Sequence, residues 1–457
     1  MTYFFETYGC QMNIAESAAV EQLLISRGWT RSPEVQRADM VIINTCSVRQ
    51  TAENRIFGRL GYFAGLKAVR ACAPDAKSKT LEIAADYVKD GAKPLTLVVM
   101  GCMAERLLDS LQKDYPMIDY VVGTFAKKKF GDIIEAVEKG AEHVELDDSP
   151  VYEFAPVSLE PGAFTAFVPI MHGCNNFCTY CIVPYVRGRE VSRSVDDILK
   201  EIDTLSSYGV KEITLLGQNV NSYSYQGLDF PELLKRIASR LKETKSSIGW
   251  VRFMSSHPKD LSDELIEIIK NEEVMCRHIH LPVQHGSSKV LKEMNRRYTR
   301  EDYLALVEKI KSRIPNVSLT TDIMLGFPGE TDEDFEQAVS LMEQVRYENA
   351  FMYYYNPREG TPACTREDQV PVEIKKERLQ KIIDMQLEIT RGEMEKQVGQ
   401  TVKVLCESKS RDNEGELLGK TERDERVAFA APSSLIGSFV TVRLDSLSGN
   451  TFRGCRV

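Results

Sequence analysis

The stretch HGCNNFCTYCIVPYVRGR, residues 172–189, decides how the chain is read. Cys174, Cys178 and Cys181 form a C-x3-C-x2-C run directly after Thr165–Met171, an apolar segment of strand composition. That spacing lets three thiolates point inward from one loop. Cysteine thiolates hold iron–sulfur clusters, and a [4Fe–4S] cube takes four ligands, so three leave one iron open to another molecule. Zinc is the structural rival. It prefers a closed tetrahedral set, usually built from paired C-x2-C groups, and here would have to recruit a fourth ligand such as His172.

After the loop, strands and helices alternate. Candidate strands at Thr165–Met171, Glu212–Leu216, Trp250–Met254, His278–Val283, Ser318–Leu325 and Ala350–Tyr355 each lead into a helix-like stretch. Six such units favour a curved or partly closed parallel β/α barrel over a small open sheet. Barrel active sites lie at the carboxyl ends of strands, where the cysteine loop sits. Two further stretches share that position. LLGQNVNSY (215–223) puts Gln218 and Asn219 at a strand end, where they bind a ligand or satisfy the turn. MLGFPGE (324–330) carries Gly326 and Gly329, which let backbone approach a flat or bulky ligand, and then Glu330; it reads equally as a strand-to-helix turn capped by Thr331. The histidines of HLPVQHG (280–286) read as buried and structural. The helix Val372–Lys396 leads away from the barrel.

Before the loop, residues 1 to about 140 also alternate, with apolar runs at Thr2–Tyr8, Asp39–Asn44, Leu95–Met100 and Asp119–Val122. This implies an open parallel sheet covered by helices. Cys10, Cys46 and Cys102 are 36 and 56 positions apart and form no motif, yet each follows an apolar strand: YFFETYG-Cys10, MVIINT-Cys46, TLVVMG-Cys102. Ligands of such sheets gather outside the carboxyl ends of adjacent strands, so these thiols can converge on a second site, with Gly9 and Gly101 leaving room. Cys72, Cys276, Cys364, Cys406 and Cys455 lack such context and read as packing residues. Residues 141–164, rich in proline and acid, read as a linker. From about 397, short β-branched pieces between Gly, Asn, Asp and Ser turns read as a small antiparallel barrel.

Composition narrows the function. A chain of 457 residues suggests roughly three domains. With 43% hydrophobic and 27% charged residues it is neither disordered nor fibrous. A net charge of −9 excludes indiscriminate attraction to nucleic acid, so any such contact is local. Residues 402–457, with nine Lys and Arg against eight Asp and Glu, are less acidic than the rest. The start MTYFFETYGCQ lacks the features of a secretory signal, so the expected location is cytoplasmic, with no membrane association. Eleven cysteines in a reducing compartment point to metal or catalysis rather than disulfides.

In order, TYGCQMN, INTCSVR, GCMAER, HGCNNFCTYCIVPYVRGRE, LLGQNVNSY, HLPVQHGSSKVLKEMNRRYT, DIMLGFPGET and the small terminal β domain resemble the radical S-adenosylmethionine methylthiotransferases over nearly the whole chain. The resemblance implies an α/β protein of three parts: a methylthiotransferase domain over 1–140, a radical SAM partial barrel over 160–390, and a TRAM-like RNA-binding β-barrel over 393–457. It implies two [4Fe–4S] clusters, an auxiliary one on Cys10, Cys46 and Cys102 and a radical-generating one on Cys174, Cys178 and Cys181. The open iron of the latter would take the amino and carboxylate groups of S-adenosylmethionine. Tyr180 stands at the family's aromatic position, and Gln218, Asn219, Gly326, Gly329 and Glu330 are the implied cofactor contacts.

The implied reaction is sulfur insertion followed by methyl transfer, using two S-adenosylmethionine molecules per turnover. An adenine C–H bond is scarcely acidic, so a 5′-deoxyadenosyl radical takes the hydrogen atom from C2, and auxiliary sulfide or polysulfide supplies the sulfur. The implied substrate is N6-dimethylallyladenosine at position 37, next to the anticodon of tRNA; the implied partners are that anticodon stem-loop and a reductant such as flavodoxin or ferredoxin. Related members act on threonylcarbamoyladenosine in tRNA or on a ribosomal-protein aspartate, but CNNFCTYCIVPYVRGRE and GQNVNSY read more like the dimethylallyladenosine enzymes. A zinc-stabilised RNA-binding protein and an iron–sulfur electron carrier are the non-enzymatic alternatives. Lys403, Lys409, Arg411, Lys420, Arg423 and Arg426 are candidates for phosphate contact, while Arg187, Arg189 and Arg193 beside the cysteine loop either orient RNA or cofactor or form ion pairs. The chain departs from the family pattern at residues 72–94, a longer and more charged stretch than expected.

Overall fold

A computed structural model describes residues 1–47, 50–70, 94–124, 129–140, 144, 152, 154, 162–411 and 413–457. Cys72, most of the 72–94 stretch and most of the 141–164 linker lie outside these residues. Contacts gather the chain into two units, Met1–Pro161 with Phe167–Asn175 and Ile182–Val191, and Gly162–Ala166 with Asn176–Cys181 and Ser192–Val457.

In the first unit, β3 (Met40–Thr45) is buried at every residue. Alternation along the strand sends Val41 and Ile43 to one face and Met40 and Ile42 to the other. Two buried faces require helices on both sides, the arrangement of parallel sheets. β1 (Thr2–Thr7), β2 (Thr30–Arg31), β4 (Thr96–Gly101) and β5 (Tyr120–Val122) complete a parallel sheet of order β2-β1-β3-β4-β5. The helix Gln50–Arg70 presents Ile56, Leu60, Phe63 and Leu66, one per helical turn, to one face. Helices Gln11–Ser26 and Phe130–Lys139 cover the other with Val20, Leu24, Phe130, Ile133 and Ile134. The register sets Asn44 opposite Thr7 and Thr45 opposite Gly101, so β1, β3 and β4 end level.

The predicted strand at 165–171 is divided at Ile170 into β6 (Thr165–Pro169) and β7 (Met171–His172), and β7 pairs with β8 (Val191–Ser192). In the second unit, β9 (Glu212–Leu216) is followed by a short hairpin of β10 (Ser224–Tyr225) and β11 (Leu228–Asp229) and by β12 (Trp250–Phe253), with sheet order β12-β9-β6. A second parallel sheet has the order β13-β14-β15, made of His278–His280, Ser318–Leu325 and Asn349–Tyr354. The single bridge Val251–Met275 lies between the two sheets. The strand expected to reach Val283 stops at His280 because Pro282 has no amide hydrogen to continue the ladder. Five helices of this unit begin at side-chain caps, Ser194, Asp229, Ser262, Thr299 and Thr331, each accepting from an amide in the first turn.

After the helix Val372–Glu395, β16 (Thr401–Lys409), β17 (Glu416–Thr421), β18 (Arg426–Ala430), β19 (Phe439–Ser448) and β20 (Thr451–Arg456) close a barrel of order β16-β17-β18-β20-β19. It is not wholly antiparallel: closure pairs β18 with β20 in parallel. The barrel docks on β9 and β12 through apolar and charged contacts. Phe439 meets Trp250 edge to face, with ring centroids 4.8 Å apart. Buried Arg252 donates to the carbonyls of Thr421 (2.6 Å) and Glu422 (2.8 Å) and to Glu212 Oε2 (2.8 Å), and Lys420 donates to Glu212 Oε1 (2.8 Å). Among the described residues no helix is long and apolar enough to cross a membrane.

Removing one member of a buried charge network leaves the others uncompensated, whereas exposed pairs matter little. Arg252→Met is therefore expected to destabilise the chain by about 3–5 kcal/mol in urea unfolding, and Arg443→Met, which breaks the exposed pair with Asp445, to leave the unfolding midpoint essentially in place.

Candidate functional site

The level ends of β1, β3 and β4 place Gly9–Cys10, Cys46 and Gly101–Cys102 along one edge of the first unit's sheet. Cys10 caps the helix Gln11–Ser26, with its amide (3.2 Å) and thiol (3.3 Å) both donating to Asn13 Oδ1. The Asn13 amide donates to Asn44 Oδ1 (2.9 Å) and the Thr45 carbonyl (3.0 Å), and Asn44 returns a bond to the Asn13 carbonyl (2.9 Å). Thr45 Oγ1 donates to the Met100 carbonyl (2.6 Å). Side chains thus stitch the three strand ends together. Gly101, at φ +97°, lies so close to β3 that a Cβ would stand 2.4 Å from the Thr45 carbonyl oxygen. Cys46 and Cys102 are buried and Cys10 is exposed. Among the described residues, however, no three His, Cys, Asp or Glu side chains are gathered as around a metal ion. The strand ends converge; the thiols do not form a finished ligand set.

Arg187 also lies in this unit, on the short helix Val183–Arg187. That helix packs on Cys102 through Ile182 and Val186, and Thr124 Oγ1 ties it to the end of β5 by donating to the Val186 carbonyl (2.7 Å). The Arg187 guanidinium, 3% exposed, donates from Nε to Cys102 Sγ (3.1 Å) and from Nη1 to Glu16 Oε1 (2.8 Å), and Nη1 is 3.4 Å from His172 Nδ1. Burial alone would weaken its charge, but Cys102, Glu16 and Cys10 more than offset that and hold it firmly protonated. Tyr152 stacks on His172 at 3.5 Å. The Cys174 amide donates to the Gly188 carbonyl (3.1 Å), and Gly173, at φ +80°, leaves no room for a Cβ against the Arg189 carbonyl.

Cys178, Tyr180 and Cys181 belong to the second unit. Asn295 Nδ2 donates to the carbonyls of Asn176 (3.1 Å) and Phe177 (3.0 Å), and the Thr179 amide donates to the Met294 carbonyl (3.2 Å). A second buried guanidinium faces a thiol here: Arg296 Nη1 is 3.5 Å from Cys178 Sγ, while Nη2 donates to the Pro282 carbonyl (2.8 Å). Desolvation keeps the Tyr180 hydroxyl protonated, with Arg296 opposing and the two thiols reinforcing that effect.

Around the carboxyl ends of β9 and β12, buried polar atoms lack partners among the described residues. Asn219 donates from Nδ2 to Asp260 Oδ2 (2.8 Å) but leaves Oδ1 unpaired; both amide atoms of Asn221, Ser256 Oγ and His257 Nε2 are also unpaired. Such atoms require partners from outside the described residues, whether water or a polar ligand. Gln218 is partly buried beside them. Asn221, Ser256, His257 and Arg296 are not picked out by the sequence reading; the polar run SSHP straight after the strand WVRFM is the signal that would have found two of them. The glycine-rich turn differs. Gly326 and Gly329 make room for Lys375 and for Arg366 and Asp368 of the chain itself. The Glu330 carboxylate accepts from Arg378 Nη1 (2.7 Å) and the Phe327 amide (3.1 Å), and His285 Nε2 lies 3.2 Å from it.

Of the barrel cations, Lys420 and Arg423 are turned inward, Arg423 donating to Glu348 and Glu425 (both 3.1 Å). Lys403 lies over the Phe439 ring (4.2 Å), and Lys409, Arg411 and Arg426 are exposed. Arg193 is buried against Glu201, and Arg189 is exposed.

The chain matches the Radical SAM superfamily over residues 168–342, the Uncharacterized protein family UPF0004 over 2–123 and the TRAM domain over 395–454. It is 50% identical to a tRNA-2-methylthio-N(6)-dimethylallyladenosine synthase of Treponema pallidum (strain Nichols), covering 99% of this chain and 98% of that protein. It is 44% identical to one of Carboxydothermus hydrogenoformans, covering 97% and 96%. Among solved structures, the radical S-adenosylmethionine methyltransferase TsrM of Kitasatospora setae shares the fold with a TM-score of 0.56 at 13% identity, over 79% of this chain and 77% of that one.

His257 offers a pH test of the polar pocket. Burial, helped by Arg296 and Lys259, pushes its pKa down to about 2, so it stays neutral in the folded chain. The unfolded chain binds a proton below about 6.5, so the stability this group contributes is present above that pH and lost as the pH falls, by about 1.4 kcal/mol per unit. Between pH 6.5 and 5.0, His257→Asn is expected to lose about 2 kcal/mol less stability than the wild type in urea titrations.

Proposed function

The chain belongs to the tRNA-2-methylthio-N(6)-dimethylallyladenosine synthase family of radical SAM proteins, and from that membership we propose that it converts N6-dimethylallyladenosine at position 37 of tRNA to its 2-methylthio derivative. Superfamily membership implies a [4Fe–4S] cluster and S-adenosylmethionine. We assign that cluster to Cys174, Cys178 and Cys181, and a second, auxiliary cluster to Cys10, Cys46 and Cys102. The domains are assigned as 1–140, 160–390 and 393–457, and the electron donor as a small low-potential protein of the flavodoxin or ferredoxin kind.

The observation that carries the reading is the first unit's edge, where three cysteines follow three level, adjacent parallel strands. The donor set suits iron–sulfur chemistry. Sulfur ligands dominate, Gly9 and Gly101 keep the backbone close, and a buried guanidinium already donates to one of the thiols. Bound there and in the cysteine loop, such clusters with S-adenosylmethionine supply the one-electron and sulfur chemistry that substitution at an unacidic aromatic carbon needs.

The chain's own residues do the rest. Arg187 and Arg296 place positive charge against the sulfurs of Cys102 and Cys178. Half-buried Tyr180 stays protonated and able to donate. The unpaired atoms of Asn219, Asn221, Ser256 and His257 offer hydrogen bonds to the polar groups of S-adenosylmethionine or a nucleobase without reorganising. Lys403, Lys409, Arg411 and Arg426 are the phosphate contacts, with Lys420 and Arg423 left out because they hold the barrel in place.

Two tests follow. Anaerobically reconstituted wild type is expected to hold about eight iron atoms per chain and Cys174→Ala/Cys178→Ala/Cys181→Ala about four. Nucleoside mass spectrometry of treated tRNA should show a methylthio gain on dimethylallyladenosine with wild type only; stoichiometric zinc, or a gain only on threonylcarbamoyladenosine, would overturn the reading. In tRNA binding, Lys409→Ala/Arg426→Ala should lower the slope of log affinity against log salt by about 1–2, while Lys420→Ala acts chiefly on thermal stability.

A further inference from the structure

The strongest unassigned feature is the charge knot of Glu16, Arg187, His172 and Cys102. All four side chains lie in the first unit, and Glu16 and Arg187 are each 3% exposed. An arginine paired with a carboxylate uses part of its fork, and here the pairing is lopsided: Nη1 is 2.8 Å and Nη2 3.5 Å from the Glu16 oxygens. Nε, on the inner edge of the fork, is left to donate to Cys102 Sγ at 3.1 Å. Nη1 also approaches His172 Nδ1, and Tyr152 lies flat on that ring and fixes its plane. A buried ion pair contributes little net stability, so its placement needs another reason. Pointing a charged donor at one sulfur is such a reason, because hydrogen bonds to ligand sulfur set the reduction potential and hold of an iron–sulfur centre.

We propose that Arg187 is a positioning residue for the auxiliary site, its Nε–H bond to Cys102 Sγ favouring the reduced form of the centre held there while Glu16 moderates the effect. This rests on the assignment of an auxiliary cluster to Cys10, Cys46 and Cys102. The sign of each change follows from charge. Neutralising Glu16 leaves the guanidinium's field uncompensated and stabilises the more negative, reduced state. Removing both charges leaves the net charge unchanged but deletes the hydrogen bond, so the reduced state is disfavoured.

The test uses full-length protein carrying Cys174→Ala/Cys178→Ala/Cys181→Ala, in which iron can reside only at the auxiliary site. Redox titration followed by electron paramagnetic resonance reads the reduced fraction at fixed poise. Adding Glu16→Gln is expected to raise the ratio of reduced to oxidised centre about tenfold, and adding Arg187→Met/Glu16→Gln to lower it about tenfold, each near 59 mV for one electron. Both should keep the iron of the parent. Ratios that stay put, ratios that move the same way, or iron lost from either variant while circular dichroism is unchanged would overturn the role of Arg187. A parent that binds no iron would instead overturn the auxiliary cluster itself.

Discussion

Asn13, Asn44 and Thr45 direct their hydrogen bonds to one another and to the ends of β1, β3 and β4, and the first unit's chemistry depends on that stitching. A parallel sheet alone aligns strands only within its register; three cysteines from distant parts of the chain need their strands to end at one level. The Asn13–Asn44 exchange fixes β1's exit against β3, and the Thr45 hydroxyl fixes β3 against β4. Buried amides satisfied by one another in this way are rigid, because every alternative leaves a polar group unpaired in an apolar interior. Gly101 then lets β4's exit lie against Thr45, where a side chain would force the two exits apart.

The same electrostatic device stands beside one cysteine of each set. Arg187 faces Cys102 and Arg296 faces Cys178, both buried and each anchored by a second acceptor, Glu16 or the Pro282 carbonyl. Arginine suits this task better than lysine, since its weakly hydrated fork can bond an anchor and a sulfur together without losing its charge. The anchors differ in kind. A carboxylate neutralises most of the charge at Cys102, whereas a carbonyl leaves Cys178 facing a nearly full positive charge, so the two thiols sit in unequal fields.

Much of this was legible in the sequence because it is written in local periodicity. The runs before Cys10, Cys46 and Cys102 are strands, the carboxyl-end position of each cysteine follows, and the closed terminal barrel follows from its turn spacing. What escaped the sequence involves partners far apart in the chain. Arg187 to Glu16 spans 171 positions and Arg252 to Glu422 spans 170, and no pattern of period 2 or 3.6 encodes such a pairing. Gly326, Gly329 and Glu330 stand in a turn legible in the sequence, whereas their packing against Lys375, Asp368 and Arg378, about forty to fifty positions on, is not. The closing pair of the barrel is parallel because β18 and β20 are joined through β19, a connection that strand composition does not reveal.

The strands of the second unit work at both ends, and this explains why the charges of the terminal barrel divide as they do. Glu212 opens β9 and takes Lys420 and Arg252; four residues after that strand's opening, Leu216 closes it and leads to Asn219 and Asn221 with their unpaired atoms. One short, fully buried strand therefore carries a docking contact at its amino end and leads at its carboxyl end into the unpaired polar atoms. Rigid transmission between them needs no moving part, since a five-residue strand with neighbours on both sides cannot shift one end without the other. The cations that lock the barrel to Glu212 are lost to RNA, but the lock is what gives the remaining exposed cations a fixed orientation relative to the pocket. Phosphate contacts of this kind position a nucleic acid rather than read it; under the proposed function, recognition of the base falls to the polar atoms beyond β9 and β12.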